Sequence, residues 1–506
     1  MPTLFEIFDK SFKRQGEKSA ILFLRDGRLE TQLSYNELKR ESEIFSTYLN
    51  AKGIGKGDRV ILFLEKSLYF VIFHLALQRL GTIAVPLNPG FKTQEMRYFI
   101  EDSDPSLIIA DIRKEQMIKE ISGKRETLFV DSLAPYGYMD RFKESEDLSL
   151  NSFISEDDPS LIIYTSGTTG QPKGAILTHK NLIHDLKKVI DVWEITEEDT
   201  LCHALPLFHV HGLCFALHTL LAAGGRIVML DRFDVDITLK VLASKEPLYR
   251  CTIFMAVPAM YQRLLKGMKG KDYDFSHLRL ITSGSAPLLP KDFFAIKEAF
   301  GMEVVEREGM TETGMNFSNP LYGKKKPGSI GKALPGLEVR IVDPDTLEDV
   351  KEGKIGEFWL KGPGISPGYW KKEQETRKAF HNGWFRTGDL GRVDPEGYYF
   401  LTDRLKHIII SGGENISPKE IENVINQIDG VKECSVVGIP DERWGEKVVT
   451  AVVKEGDMEI DEDTIKRYCK HHLHDWKCPK EIKFVKELPR NTMGKVLNDK
   501  VKSLFL

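Results

Sequence analysis

Short apolar runs alternate with amphipathic segments through roughly the first 300 residues of this chain. The runs at 60–64, 107–110, 161–164, 227–230 and 253–257 are apolar throughout. Runs that short and that evenly apolar read as strands buried on both faces, with helices between them as the cover. An α/β fold of layered, mostly parallel sheets is therefore expected for the large N-terminal part. One helix announces itself at Ser34 and Glu37, a capping box, followed by apolar Leu38, Phe45 and Leu49. At the N-terminus Phe5, Phe8 and Phe12 are interleaved with Glu6, Asp9 and Lys10, which is an amphipathic helix and not a signal peptide. The greasiest stretch, 205–223, is broken by His209, His211 and His218 and reads as a core helix, not a membrane span.

Past residue 328 the pattern changes. Strand-like pieces at 339–342, 357–360 and 398–401 lie close together between Gly and Pro, as in Gly362, Pro363 and Gly364, and predict a small β subdomain over about 328–402. The charged break at Asp403, Arg404 and Lys406 precedes a tail with strand patterns at 407–410, 434–437 and 448–453. Ser417, Pro418 and Glu420 there form a capping box with proline at the first helical position. The chain, 506 residues long, exceeds one core, so the expectation is an N-terminal domain over 1–405 and a smaller α+β domain over 406–506. A net charge of −4 offers no basic surface for nucleic acid or an anionic membrane. Six cysteines without paired spacing suit a reducing, cytoplasmic setting, and the ending SLFL is no peroxisomal address.

Chemistry concentrates in the run YTSGTTGQPKG at 164–174. Its glycines let backbone N–H groups approach a ligand closely, and successive N–H groups make an anion nest. The hydroxyls add donors and Lys173 a positive charge. The spacing is not that of a Walker A loop, because a proline precedes the lysine. A second cluster, EREGMTETG at 306–314, puts a carboxylate among hydroxyls, as Mg²⁺ binding requires. WFRTGDL at 384–390 sets one aspartate in a tight turn, where ribose hydroxyls could bind. SGGENI at 411–416 is glycine-rich before a helix, and LPRNTMGK at 488–495 presents one lysine near the chain end.

In this order the five motifs resemble the adenylate-forming superfamily of acyl-CoA synthetases, luciferases and nonribosomal adenylation domains, over about 34–495. LGTIAVPLNP at 80–89 is similar to an early segment of that family. The resemblance implies ATP, Mg²⁺ and coenzyme A, a small carboxylic acid, and two steps. A carboxylate displaces pyrophosphate at the α-phosphate, and a thiol then displaces AMP. It implies that Thr165, Ser166, Gly167, Thr168, Thr169, Gly170 and Lys173 hold the β- and γ-phosphates. Thr311 and Glu312 would hold the α-phosphate, with Glu312 and Thr165 as metal ligands. Ser283, Gly284, Ser285, Glu306, Arg307, Glu308 and Gly309 would line the nucleotide, and Asp389 and Arg404 would meet the ribose. Lys495 would bridge the carboxylate and the α-phosphate, Lys406 would be the hinge of a mobile C-terminal domain, and Gly412 and Gly413 would line the pantetheine path.

Glu308 stands where the family usually places an aromatic residue against adenine. Three readings follow: a tolerated substitution whose methylenes cover the ring, a carboxylate that accepts from the adenine amino group, or weakened nucleotide binding and even a non-catalytic binder. PLFHVHG at 206–212, SGSAPL at 283–288 and Arg307 with TGMN at 313–316 resemble malonyl-CoA synthetases in particular. There an arginine at the place of Arg307 would meet a distal carboxylate, and His209 would line the acyl pocket. The alternative for Arg307 is a structural ion pair with Glu306 or Glu303. The acid is then malonate or a longer dicarboxylate, or a short, medium-chain or aromatic monocarboxylate, and a carrier-loading adenylation domain is the sister class. The protein is expected to be a monomer or homodimer. Cys469, His471, His472, His474 and Cys478 imitate a zinc cluster, but their spacing fits no standard site.

Overall fold

The computed structural model describes residues 2–143, 153–165, 171–411, 414–441, 443–456, 458–491 and 494–506. They fall into two compact units, one of Met1–Glu338 with Lys361–Phe385 and one of Val339–Leu360 with Arg386–Leu506.

The first unit is built on two large sheets, and each of the five apolar runs becomes a strand. Glu126–Val130, Leu107–Asp111, Arg59–Phe63, Ile83–Pro86, Pro159–Thr165 and Lys173–Thr178 form a six-stranded sheet in that order. It is parallel except for its last hairpin. The second sheet has nine strands and runs parallel from Val305–Met310 through Leu280–Ser283, Ile253–Ala256, Thr200–His203 and Arg226–Leu230 to Ser19–Arg25. Antiparallel strands close both of its edges. Helix Leu4–Gln15 buries Phe5, Phe8 and Phe12, and helix Tyr35–Ala51 carries the complete capping box of Ser34 and Glu37. Of the stretch 205–223 expected as one core helix, 205–209 is not helical, His211–His218 is buried and wound as a π-helix, and Thr219–Ala223 is α-helical. The carbonyl of Gly212 is taken from outside by His203 Nε2 at 2.9 Å, which suits a wider turn.

In the second unit Gly356–Lys361 lies between Glu338–Val342 and Trp384–Val393, and Tyr399–Arg404 pairs antiparallel with the latter. The C-terminal part centres on the long hairpin of Val431–Asp441 and Gly445–Lys454, extended by Ile409–Ser411 and by parallel Glu481–Val485. One face packs Val436, Val448 and Val452 with Ile421, Ile425, Ile465 and Cys469, and the other packs Val437 and Val449 with Leu488 and Val501. Apolar side chains on both faces explain why the hairpin strands read as continuous apolar runs. Helix Pro418–Ile425 starts as expected, with Ser417 Oγ accepting from the Glu420 N–H, but the Glu420 carboxylate is paired with Lys477 at 2.7 Å rather than returned to the cap. Among the described residues no helix is long and apolar enough to cross a membrane.

Candidate active site

The run 164–174 contains the facing ends of two antiparallel strands. Thr165 ends one strand, Lys173 begins the next, and the two face each other across the ladder. Ser166, Gly167, Thr168, Thr169 and Gly170 lie outside the described residues. The stem is held from several sides. Tyr98 donates to the carbonyl of Pro172 at 2.5 Å, Tyr164 donates to the Asp102 carboxylate at 2.7 Å, and Lys372 pairs with Asp102 at 2.9 Å. Lys173 Nζ stands 5.3 Å from the ring centre of Tyr369.

The second cluster is a tight antiparallel turn between Val305–Met310 and Gly314–Ser318. It carries Thr311 and presents Glu312 toward the hairpin stem. The Glu312 carboxylate accepts from the hydroxyls of Tyr369, at 3.0 Å, and Thr165, at 3.4 Å, and the Glu312 carbonyl accepts from the Ser366 N–H at 2.7 Å. The structure thus joins Thr165, Lys173 and Glu312, which are far apart in sequence. It adds Tyr369, which the sequence hid in a stretch that reads only as Pro- and Gly-rich turn. Glu308 receives an N–H from the Asn316 amide at 3.1 Å, and Asn316 also reaches Thr313 Oγ at 2.7 Å.

Next along the strand, Arg307 is 3 % exposed, with its guanidinium 5.4 Å from the ring centre of Phe215. Its Nε and Nη2 have no acceptor. Neither expected ion pair forms, since Glu303 pairs with Lys297 at 2.9 Å and Glu306 accepts the Gly328 N–H at 3.0 Å. Adjacent residues on a strand point to opposite faces, which separates Glu306 from Arg307. Burial lowers the Arg307 pKa to about 10, partly offset by Glu308, and raises that of Glu306 to about 8, so the carboxyl of Glu306 is largely protonated at neutral pH. Gly284 follows strand Leu280–Ser283, and a Cβ there would stand 2.6 Å from Arg307 Cζ, so only glycine admits the guanidinium. Ser285, at φ +66°, shares a 3.2 Å hydrogen bond with His211 Nδ1. His209 Nε2, His211 Nε2 and Ser283 Oγ are buried without partners, and burial pushes His209 down to about 4 and His211 well below its ordinary value. Neutral donors and acceptors with unmet valence are thus buried in the same part of the unit as an unneutralised cation. Such groups are costly unless a polar, anionic ligand completes them.

In the second unit Arg404 grips Asp389 across the ladder, Nε to Oδ1 at 2.6 Å and Nη2 to Oδ2 at 3.3 Å. The turn before Asp389 is fixed by Glu357, which accepts the Gly388 N–H at 3.0 Å, and by Thr387, which donates to the Phe358 carbonyl at 2.7 Å. Lys495 sits in a closed turn, its N–H donated to Asn491 Oδ1 and its carbonyl accepting the Asn491 N–H, both at 2.9 Å. Gly412 and Gly413 lie outside the described residues, as does the side chain of Lys406. Of the zinc-like cluster, Cys469 and Cys478 are in the core and His472 Nδ1 is 2.8 Å from the Tyr468 carbonyl of its own helix.

Residues 8–370 match the family described as AMP-binding enzyme, and 420–495 match the AMP-binding enzyme C-terminal domain. The chain is 34 % identical to an indoleacetate–CoA ligase of Aromatoleum aromaticum, over 99 % of this chain and 98 % of that one. It is 32 % identical to the long-chain-fatty-acid–CoA ligase FadD13 of Mycobacterium tuberculosis, over 92 % of each. ATP-bound MatB from Rhodopseudomonas palustris superposes with a TM-score of 0.92 at 36 % identity, over 100 % of this chain and 99 % of that one. MenE from Bacillus subtilis in complex with AMP superposes at 0.85 with 28 % identity, over 99 % and 98 %. The chain therefore belongs to the AMP-binding enzyme family and is an AMP-forming acyl-CoA synthetase that uses ATP.

Proposed function

We propose that the acid this synthetase activates is a dicarboxylate, malonate or a longer diacid, held by its distal carboxylate on Arg307. The observation that carries the reading is the buried guanidinium whose Nε and Nη2 have no acceptor among the described residues and which pairs with neither Glu303 nor Glu306. A carboxylate is the ligand that a planar guanidinium fork fits. His209 lines the acyl chain, and the neutral imidazoles leave the positive charge to Arg307.

The reacting carboxylate oxygen attacks the α-phosphorus, and the bond to the β-phosphate oxygen breaks. The thiol of CoA then attacks the acyl carbon and AMP leaves. Thr165, Ser166, Gly167, Thr168, Thr169, Gly170 and Lys173 hold the departing pyrophosphate, while Thr311 and Glu312 serve the α-phosphate. Ser283, Gly284, Ser285, Glu306, Glu308 and Gly309 surround the nucleotide, and Asp389 with Arg404 binds the ribose. Lys495 offsets the repulsion between carboxylate and α-phosphate. Lys406 is the hinge of a C-terminal domain that begins there, and Gly412 and Gly413 line the pantetheine path. Glu312 and Thr165 fit Mg²⁺, being hard oxygen donors 3.4 Å apart. Among the described residues no cluster of three or more His, Cys, Asp or Glu forms a cage. One carboxylate plus substrate phosphates is the usual way that ion is held. Bound there, Mg²⁺ would offset phosphate charge.

The test is a pyrophosphate-release panel of diacids, fatty acids and aromatic acids with wild type and Arg307→Ala. Diacid turnover that Arg307→Ala abolishes supports the reading. Turnover of indoleacetate or fatty acids with malonate and longer diacids inert overturns it.

A further inference from the structure

We propose that Asp185, paired with Lys188, is a positioning residue for adenylation, holding the turn that carries Thr311 and Glu312. The proposal rests on the roles given above to those two residues. Helix His179–Val192 begins directly after strand Lys173–Thr178, so it is tied to the phosphate-loop stem by chain connectivity alone. Thr178 caps it, with Asn181 answering from the third helical position.

Asn181 and Asp185 stand one helical turn apart and share a face. Asn181 Nδ2 donates to the carbonyls of Pro363, at 2.8 Å, and Ile365, at 2.9 Å, while the next residue, Ser366, donates its N–H to the Glu312 carbonyl. The Asp185 carboxylate lies against both turns. At Gly314, where φ is +70°, a Cβ would overlap the Asp185 carboxylate, and at Gly364 it would stand 3.0 Å from Asp185 Oδ1. One helix face therefore clasps the 311–314 turn from beneath and from its flank. Lys188 Nζ is 2.9 Å from Asp185, with both residues buried, at 5 % and 6 % exposed. Such a pair adds little stability over apolar side chains of the same volume. What it supplies here is a carboxylate fixed against the turn, and a shift of about 1 Å in a reacting group is enough to cost ~10²-fold in rate.

The test separates stability from catalysis. Asp185→Leu with Lys188→Met replaces the pair by packed apolar groups and removes the carboxylate that packs against Gly314 and Gly364. We expect a melting temperature at or above wild type and acid-dependent ATP–pyrophosphate exchange slower by ~10²-fold. Thioester formation from supplied acyl-adenylate should be unchanged. Asp185→Asn, which keeps the shape of the side chain against Gly314 and Gly364, should retain most of the exchange. If the double variant does not melt cooperatively, Asp185→Ala assayed well below its own melting temperature must show the same split between half-reactions. Exchange at the wild-type rate in the double variant, without the carboxylate, or equal loss in both half-reactions, overturns the proposal. A wild type inactive in exchange with every acid instead overturns the roles of Thr311 and Glu312.

Discussion

Arg307 and Glu306 are neighbours with opposite problems. Arg307 keeps its charge although buried, because guanidinium deprotonates so reluctantly, and it therefore needs an anion. Removing it should lower kcat/KM for the diacid at least about 30-fold, the equivalent of ~2 kcal/mol for a buried charge pair. Lysine should rescue little, since a point charge does not reproduce the fork. A diacid titration of Arg307→Ala and Arg307→Lys measures both. Glu306 solves its problem by staying protonated. Its folded pKa, about 8, lies above its unfolded value, so the folded state binds the proton more tightly and stability declines as pH rises from the unfolded pKa toward 8. Glu306→Gln has no proton to lose. Its melting temperature relative to wild type should therefore rise between pH 5 and pH 8. A difference that stays flat across that range would contradict the assignment.

At the scale of elements, the hairpin stem and the 311–314 turn meet at Thr165 and Glu312, and other elements hold them. Tyr369→Phe removes a hydroxyl bonded to the Glu312 carboxylate and should slow adenylation by about tenfold, the scale of one hydrogen bond to a charged group. Ser34→Ala breaks an equally regular capping box on helix Tyr35–Ala51 and should cost ~1 kcal/mol of stability with kcat unchanged. The contrast between the two variants in paired melting and exchange assays distinguishes support of the site from support of the fold. The strands and the Ser34 box were legible because each is a local pattern, carried by neighbours in sequence. Tyr369, Asn316 and Asp185 were not, because each acts on a residue brought to it only by sheet order or by a helix face. The missing partner of Arg307 was equally hidden, since spacing alone cannot separate a carboxylate that faces a guanidinium from one on the opposite side of the strand. The π-helical turn at His211–His218 carries a contact from His203, distant in the pattern, and an apolar run with three histidines gave no sign of it.

For the whole molecule, the two steps make different demands on the chain. Lys495→Ala should slow adenylation by ~10²–10³-fold, the usual loss for one charge-stabilising donor, and leave thioester formation from supplied acyl-adenylate nearly intact. Equal loss in both half-reactions would remove Lys495 from the first step. The non-Walker spacing of the phosphate loop belongs to the same scale, since it suits a loop that holds the leaving pyrophosphate while bond-making takes place at the α-phosphate. The central claim is that an acid-dependent adenylation site lies beside a buried arginine that selects a second carboxylate. Exchange of labelled pyrophosphate into ATP across a panel of acids, with wild type and Arg307→Ala side by side, tests it most directly. The account predicts exchange driven by malonate or a longer diacid and lost in Arg307→Ala. Exchange driven only by monocarboxylates, or diacid exchange indifferent to Arg307, would contradict it.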